Sequence, residues 1–407
     1  MTDTRNTRVV IAGGGPAGMM CGFLLARAGI DVTVLEKHKD FLRDFRGDTV
    51  HPSTLEAIYE LGLLDEFLAL PHQEVKHLHV QIGERQFTAG DFSRLPTHCK
   101  FIALMPQWDL LNFLAKKARA FPNFKLMMQT EATGLIEENG EIVGVEIKTP
   151  DGMQKIRSDL VIGADGRHST IRKAAGLAPK EFGVPIDVLW MRLPHRPGDP
   201  DEPVARLGAG RFLVMLYRGD YWQCALVVPK GGFEQIRAAG IEEFHNRLAS
   251  IAGFAADRVD TIKSFDDVSL LTVTVNRLTQ WARPGLLCIG DAAHAMSPVG
   301  GVGINIAVQD AIATANILWS VLAKGKPALD DLNKIQKRRE FPARVTQAVQ
   351  VAVQNNVVAP TLKSQGELKP PLVLKLLDAV PILAVLPAYA VGIGIRPEHI
   401  RSPVTRN

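Results

Sequence analysis

The chain has 407 residues, a formal net charge of +4 at pH 7, 46% hydrophobic and 22% charged residues. That balance excludes a disordered chain and supplies apolar material for two or three domains. Basic and acidic residues are interspersed, so no surface for nucleic acid is expected.

In chain order, the first informative stretch is 9–18, a short β-branched strand followed by Gly13, Gly15 and Gly18 in G-x-G-x-x-G spacing. Gly13 permits a sharp turn, Gly15 lets the backbone approach a pyrophosphate, and Gly18 lets the following helix pack on the strand. A second strand over 31–35 ends at Glu36, 18 residues after Gly18, where a carboxylate accepts from an adenosine ribose. Ser53 and Glu56 have capping-box spacing at the head of a helix that runs to about Gly62. Alternation over 75–87 predicts strands, and His72, His77 and His79 read as strand-surface residues, not metal ligands. Cys21, Cys99, Cys224 and Cys288 form no C-x-x-C pair and no metal cluster. With a first strand too early to follow a signal peptide, they predict a reducing, cytoplasmic setting and no metal.

A strand over 101–105 precedes a helix with Leu110, Leu111, Leu114 and Ala118 on one face. Strands over 125–158 break at Asn139-Gly140 and Asp151-Gly152, both hairpin turns by composition. The buried strand 159–164 then ends in Asp165-Gly166 and turns into a helix. Residues 181–275 read mostly as strands, with 212–217 and 221–228 flanking a turn at 218–220, and helices over 233–250. The strand 285–289 delivers Asp291, and a glycine loop then caps a long helix. An acid so placed accepts from ribityl hydroxyls, and amides at 303–305 face the electron-rich edge of an isoalloxazine. Past Pro360 the chain turns apolar. Pro381 and Pro387 interrupt the nearly uncharged stretch 379–395, so this tail is expected to fold back over the protein and not to form an integral membrane span.

Three motifs in this order, G-x-G-x-x-G, Asp165-Gly166 with Ser169 and Arg172, and Gly290-Asp291 with Pro298 and Gly303, resemble those of the group A flavoprotein aromatic hydroxylases, the family typified by para-hydroxybenzoate hydroxylase. The resemblance covers about the first 345 residues. It implies an α/β fold with a Rossmann-like FAD-binding domain of the glutathione-reductase type, formed by 1–74, 101–180 and 276–345. An inserted, mostly antiparallel β-sheet substrate domain is expected from 75–100 and 181–275, and a C-terminal helical tail from 346–407. Non-covalent FAD is implied on Gly13, Gly15, Ala17, Gly18, Glu36 and Lys37, on Arg46 and Gln107, on Asp165 and Gly166, and on Asp291, Pro298, Gly301, Gly303, Ile304 and Asn305.

NADPH or NADH is implied as transient electron donor, with O₂ and a small aromatic substrate (phenolic, heteroaromatic or polyketide-like) hydroxylated through a flavin C4a-hydroperoxide. The protein is expected as a monomer or homodimer. No catalytic side chain is assigned, because the cofactor carries the chemistry. A reductase of the geranylgeranyl type and a non-catalytic flavin redox sensor are the alternatives. In the predicted hairpin, residues 213, 215 and 217 share one face. Tyr217, Met215 and Trp222, with Pro298, are therefore the candidates for a substrate platform suited to an apolar or weakly polar aromatic.

Overall fold

The computed structural model describes residues 4–42 and 49–405. Parallel strands form its frame: Leu286–Cys288, Gly152–Gly163, Thr4–Ala12, Val32–Leu35 and Phe124–Met127 lie side by side in that order. Val9, Val10 and Ile11 are wholly buried, as a parallel strand covered on both faces requires. Helices Pro16–Arg27, Gln107–Ala118 and Gly303–Leu322 cover one face through Met19, Leu24, Leu110, Leu114, Val308 and Ile312. Strands Glu131–Glu138 and Glu141–Thr149 form a layer over the other face through Ile142, Val145 and Ile147. The long strand Gly152–Gly163 joins both layers, pairing antiparallel with 144–149 and parallel with 4–12. Asn139 and Gly140 both take positive φ at the hairpin turn their composition predicted.

A second, seven-stranded sheet runs in the order Ser269–Leu271, Ile186–Pro194, Tyr221–Pro229, Arg211–Tyr217, Val204–Gly208, His77–Ile82, Arg85–Asp91. It is antiparallel except between Val204–Gly208 and His77–Ile82. Helices Phe233–Ala239 and Ile241–Ala252 and the 3-10 segment Gly253–Thr261 seal one face. Two helices stand at 233–250 because Gly240, at φ +91°, breaks the chain between them. The other face is covered by the end of the chain: Val353, Val358 and Leu362 lie against Val188, Ala225, Val227, Phe212 and Val214, while Leu368 and Leu374 lie against Ile82, Phe87 and Leu207.

The capping box at Ser53 does not form. Helix Pro52–Glu60 starts one residue earlier, with His51 as N-cap, so Ser53 is already inside the first turn. Its hydroxyl instead donates to Asn305 Oδ1 at 2.6 Å, and Glu56 pairs with His98 at 2.8 Å. His72 bonds its neighbour Leu70, while His77 and His79 pair with Asp91 and Glu202. Among the described residues no group of three His, Cys, Asp or Glu side chains is placed to hold a metal.

The tail folds back. Helices Leu372–Ala379 and Val385–Gly392 bury Leu377, Ala388 and Gly392, and Ala388 and Ile393 enter a small core with Val75, Phe92, Leu95 and Ile102. Among the described residues the segment Val299–Leu322 alone has the length and hydropathy of a span by itself, and 78% of its apolar window is buried as the central helix of the fold.

Candidate functional site

The three motifs meet because of strand register. Leu35, Ala12, Gly163 and Cys288 are aligned across the parallel sheet, and the residue after each opens a loop: Glu36, Gly13, Ala164 and Ile289. At Gly13, φ is +109°, and a Cβ would lie 2.3 Å from the carbonyl oxygen of Ala164. A Cβ at Gly18 would lie 1.9 Å from the carbonyl oxygen of Gly13. Gly15 differs from both, since nothing lies within 4 Å of the place a Cβ would take. Gly13 and Gly18 are thus small for packing, whereas Gly15 is small beside open space at a helix N-terminus, where an anion is favoured. Ala17 is buried in the first turn. Glu36 accepts from the N–H groups of Gly14 at 3.2 Å and His38 at 3.1 Å, which sets its carboxylate beside the glycine turn, while Lys37 is exposed.

Asp165 acts within its own motif. Its carboxylate accepts from the Ser169 hydroxyl at 2.5 Å and the Ile171 N–H at 3.0 Å, and Ser169 caps helix Thr170–Ala174 by accepting from the N–H of Arg172. Burial raises the Asp165 pKa above the usual carboxylate value, with the Ser169 hydroxyl opposing the shift. Gly166 supplies the left-handed turn at φ +85°. The buried Arg172 guanidinium donates to the carbonyls of Ala292 at 3.0 Å and Arg167 at 2.8 Å, tying the Asp165 loop to the Asp291 loop. Asp291 is partly open and lies 3.4 Å from Arg167.

The loop after Pro298 is held from two sides. Gly300 and Gly301 have φ of +79° and +65°, and the Gly301 carbonyl accepts from Thr49 Oγ1 at 3.0 Å and His51 Nε2 at 3.1 Å. On the other side Gln350 bonds the backbone of Ser297 and Val299, and Gln354 donates to the Ser297 hydroxyl at 2.6 Å. Asn305 has its side-chain oxygen occupied by Ser53 and Thr54. Helix Gly303–Leu322 makes its first bond from the Ile306 N–H to the Val302 carbonyl, so the amides of Gly303, Ile304 and Asn305 precede the helical ladder. Open space lies beside Gly303.

Gln107 stands half-buried at the first turn of helix Gln107–Ala118. Arg46 lies outside the described residues. The sequence reading missed His51, Gln350 and Gln354, which lie 250, 53 and 57 positions from the loop residues they hold. His51-Pro52 ahead of a helix was the one local signal.

Open space at Gly15 and at Gly303, each at the head of a helix, fits an FAD. The FAD binding domain family matches residues 6–349. The chain belongs to the group A FAD-dependent aromatic hydroxylases. It is 32% identical to 6-methylpretetramide 4-monooxygenase of Streptomyces rimosus over 95% of this chain and 91% of that protein. Similarity to rifampicin monooxygenase of Streptomyces venezuelae is 28% over 78% of this chain and 64% of that one. The p-nitrophenol 4-monooxygenase of Pseudomonas putida DLL-E4 shares the fold, with a TM-score of 0.75 at 19% identity over 96% and 99% of the two chains. The protein is an FAD-dependent monooxygenase, and these named relatives favour oxygenation over the reductase and sensor alternatives.

On the substrate side the predicted platform needs correction. Met215 and Trp222 are wholly buried in the core beneath Phe244, Leu248 and Ala252, and the Trp222 indole N–H is spent on Asp199 at 3.2 Å. Tyr217 is half-buried on that same helix-covered face, beside His195 and Trp222. Residues 213, 215 and 217 do share one face, but nothing local in sequence says which face the helical segments over 233–261 cover. The opposite face carries Trp190, Arg192, Val214, Leu216, Gln223 and Ala225. Helix Leu329–Val353 and its continuation Gln354–Val358 connect this face to the Pro298 loop: Gln350 and Gln354 grip the loop, while Val353 and Val358 touch the sheet.

A bulky side chain tests the separate roles of the glycines. Gly15→Val is expected to fold with a near-parental Tm and to lose FAD on gel filtration, whereas Gly18→Val lowers Tm by 10 °C or more, because its Cβ meets backbone. Equal FAD retention in a folded Gly15→Val would contradict the assignment.

Burial pushes the His51 pKa down to about 4, so its ring is neutral and donates Nε2–H to Gly301. A folded-state value below the unfolded one gives stability that is complete above about pH 6.5 and is lost as pH falls towards 4. Thermal melts between pH 7 and 4.5 should show a steeper decline for the parent than for His51→Gln. Parallel declines would contradict this.

Proposed function

We propose that the enzyme hydroxylates a polyketide-like aromatic, with NADPH or NADH as electron donor and O₂ as oxidant. The observation that carries this reading is the Trp190 indole N–H, buried with no acceptor among the described residues, on a sheet face that also carries Leu216, Gln223 and Arg192 while Val214 and Ala225 pack against Val353 and Val358. A polyketide-like ring bears an oxygen that can accept from Trp190. Near-full-length similarity to a monooxygenase named for 6-methylpretetramide supports the same class.

Bound FAD would supply activation of O₂ and transfer of one oxygen atom to the ring. The chain's own residues orient and enclose. Gly15 and the head of helix Pro16–Arg27 would take the pyrophosphate, Asp291 the ribityl chain, and the amides of 303–305 the flavin edge. Gln350 and Gln354 hold the Pro298 loop in place. The four thiols are free and buried, which raises their pKa values and supports a reducing compartment without a redox pair.

A screen of phenols, heteroaromatic acids and polyketide-like rings tests this reading by stimulation of NAD(P)H oxidation with product detection. The polyketide-like rings should stimulate most and give a product heavier by one oxygen atom. Trp190→Phe should raise the apparent KM for the aromatic several-fold, or divert reducing equivalents to hydrogen peroxide, with FAD content intact. Stimulation by small dianionic acids alone, or an effect of Tyr217→Phe with none of Trp190→Phe, would contradict it.

A further inference from the structure

The tail presents two faces. Its inner face is anchored by Leu377, Ala384, Ala388 and Gly392, so the segment is a fixed plate on the enzyme. Its outer face is apolar and open to solvent: of the fifteen large hydrophobic residues exposed among the described residues, eight lie between 372 and 395. Leu372 is 83% exposed, Leu386 66% and Ile382 61%, with Val373, Leu376, Val380 and Tyr389 beside them in sequence. Singly scattered apolar residues need no partner, but a concentration of this kind on an anchored segment does.

We propose that this outer face docks on the surface of an anionic lipid bilayer, lying in the interface and not crossing it. The length of the elements favours that placement. Helices Leu372–Ala379 and Val385–Gly392 have 8 residues each, about 12 Å at 1.5 Å per residue. With the turn at Pro381 they are bent by 117°, too short and too sharply folded to cross a core of about 30 Å. Charge selects the lipid. Between 363 and 392 the charged residues are Lys363, Glu367, Lys369, Lys375 and Asp378. The three lysines and Glu367 are exposed, and Asp378 is offset by Arg85 at 3.6 Å, leaving a net positive rim, three lysines against one glutamate, in the segment that carries the apolar plate. Apolar residues at acyl-chain depth with lysines at headgroup level is the pattern of an interfacial helix, and Tyr389 has the amphipathic ring suited to the boundary. A second copy of the chain suits this face less well, because a two-fold contact would bring each basic rim against its own kind.

Co-sedimentation of the full-length, flavin-loaded protein with vesicles tests the proposal. More than half of the protein should pellet with vesicles of phosphatidylglycerol and phosphatidylcholine, and at least fivefold less with phosphatidylcholine alone. The triple variant Leu372→Ser, Ile382→Ser, Leu386→Ser should stay in the supernatant with parental FAD content and NAD(P)H oxidation, since all three side chains point to solvent. Lys369→Gln with Lys375→Gln should abolish the preference for anionic vesicles. A parent that stays in the supernatant with both vesicles, or a triple variant that pellets like the parent, would overturn the proposal. A parental dimer that becomes monomeric in the triple variant, with no vesicle binding, would overturn it in favour of a second copy.

Discussion

The structure depends on one line of register. Because Leu35, Ala12, Gly163 and Cys288 stand abreast in parallel strands, four loops leave the sheet at the same edge. Parallel pairing puts all the carboxyl ends together, and crossovers through helices are the cost of achieving it. A shift of any strand by one residue would reverse its buried side chains, and Val9, Val10, Ile11, Val161 and Ile162 are all at 0% exposure. The same packing that stabilises the sheet therefore fixes where the glycine turn, the Asp165 loop and the Asp291 loop meet. Arg172 and the missing Cβ atoms of Gly13 and Gly18 then close the gaps between them.

A second node lies behind the site. Asp310, on the central helix, accepts from the Gly290 N–H at 3.0 Å, His294 Nε2 at 2.6 Å and Arg339 Nε at 3.0 Å, all out of contact with water. Burial alone would raise its pKa, but the charges of His294 and Arg339 and the Gly290 amide outweigh that and hold the carboxyl below its usual value. Arg339 also bonds Glu398 at 3.4 Å and the Arg396 carbonyl at 3.2 Å. One buried carboxylate thus links the Asp291 loop, two long helices and the segment 396–398. Buried ions are costly to place and more costly to leave unpaired, so such a node specifies one arrangement even where it adds little net stability.

Much of the loop geometry was legible because its signals are local. Gly13, Gly15 and Gly18 each carry a distinct steric demand within six residues, and Asp165 and Asp291 each follow a buried strand directly. Glu36 and Asp165 were legible as acids that follow buried strands, but not as the struts that hold their own loops. The substrate side was not legible. Alternation in 212–217 shows that two faces exist, but the choice between them rests on helices 233–252 and on Val353 and Val358, far away in sequence. Ser53 misled for a related reason: its hydroxyl was claimed by Asn305, 252 positions away, and not by the helix it begins. The apolar tail composition implied contact with something, and the structure divides it into a face that meets the enzyme and one that does not.

The Asp165, Asp291 and Pro298 loops are held in place from behind by Arg172, Asp310, Gln350 and Gln354. FAD affinity measured by titration of the deflavinated protein tests it, comparing Asp310→Asn with Asp291→Asn. Both should weaken FAD at least tenfold, although only Asp291 faces the open side, and Asp310→Asn alone should also lower Tm. A folded Asp310→Asn variant that binds FAD as tightly as the parent would contradict the account.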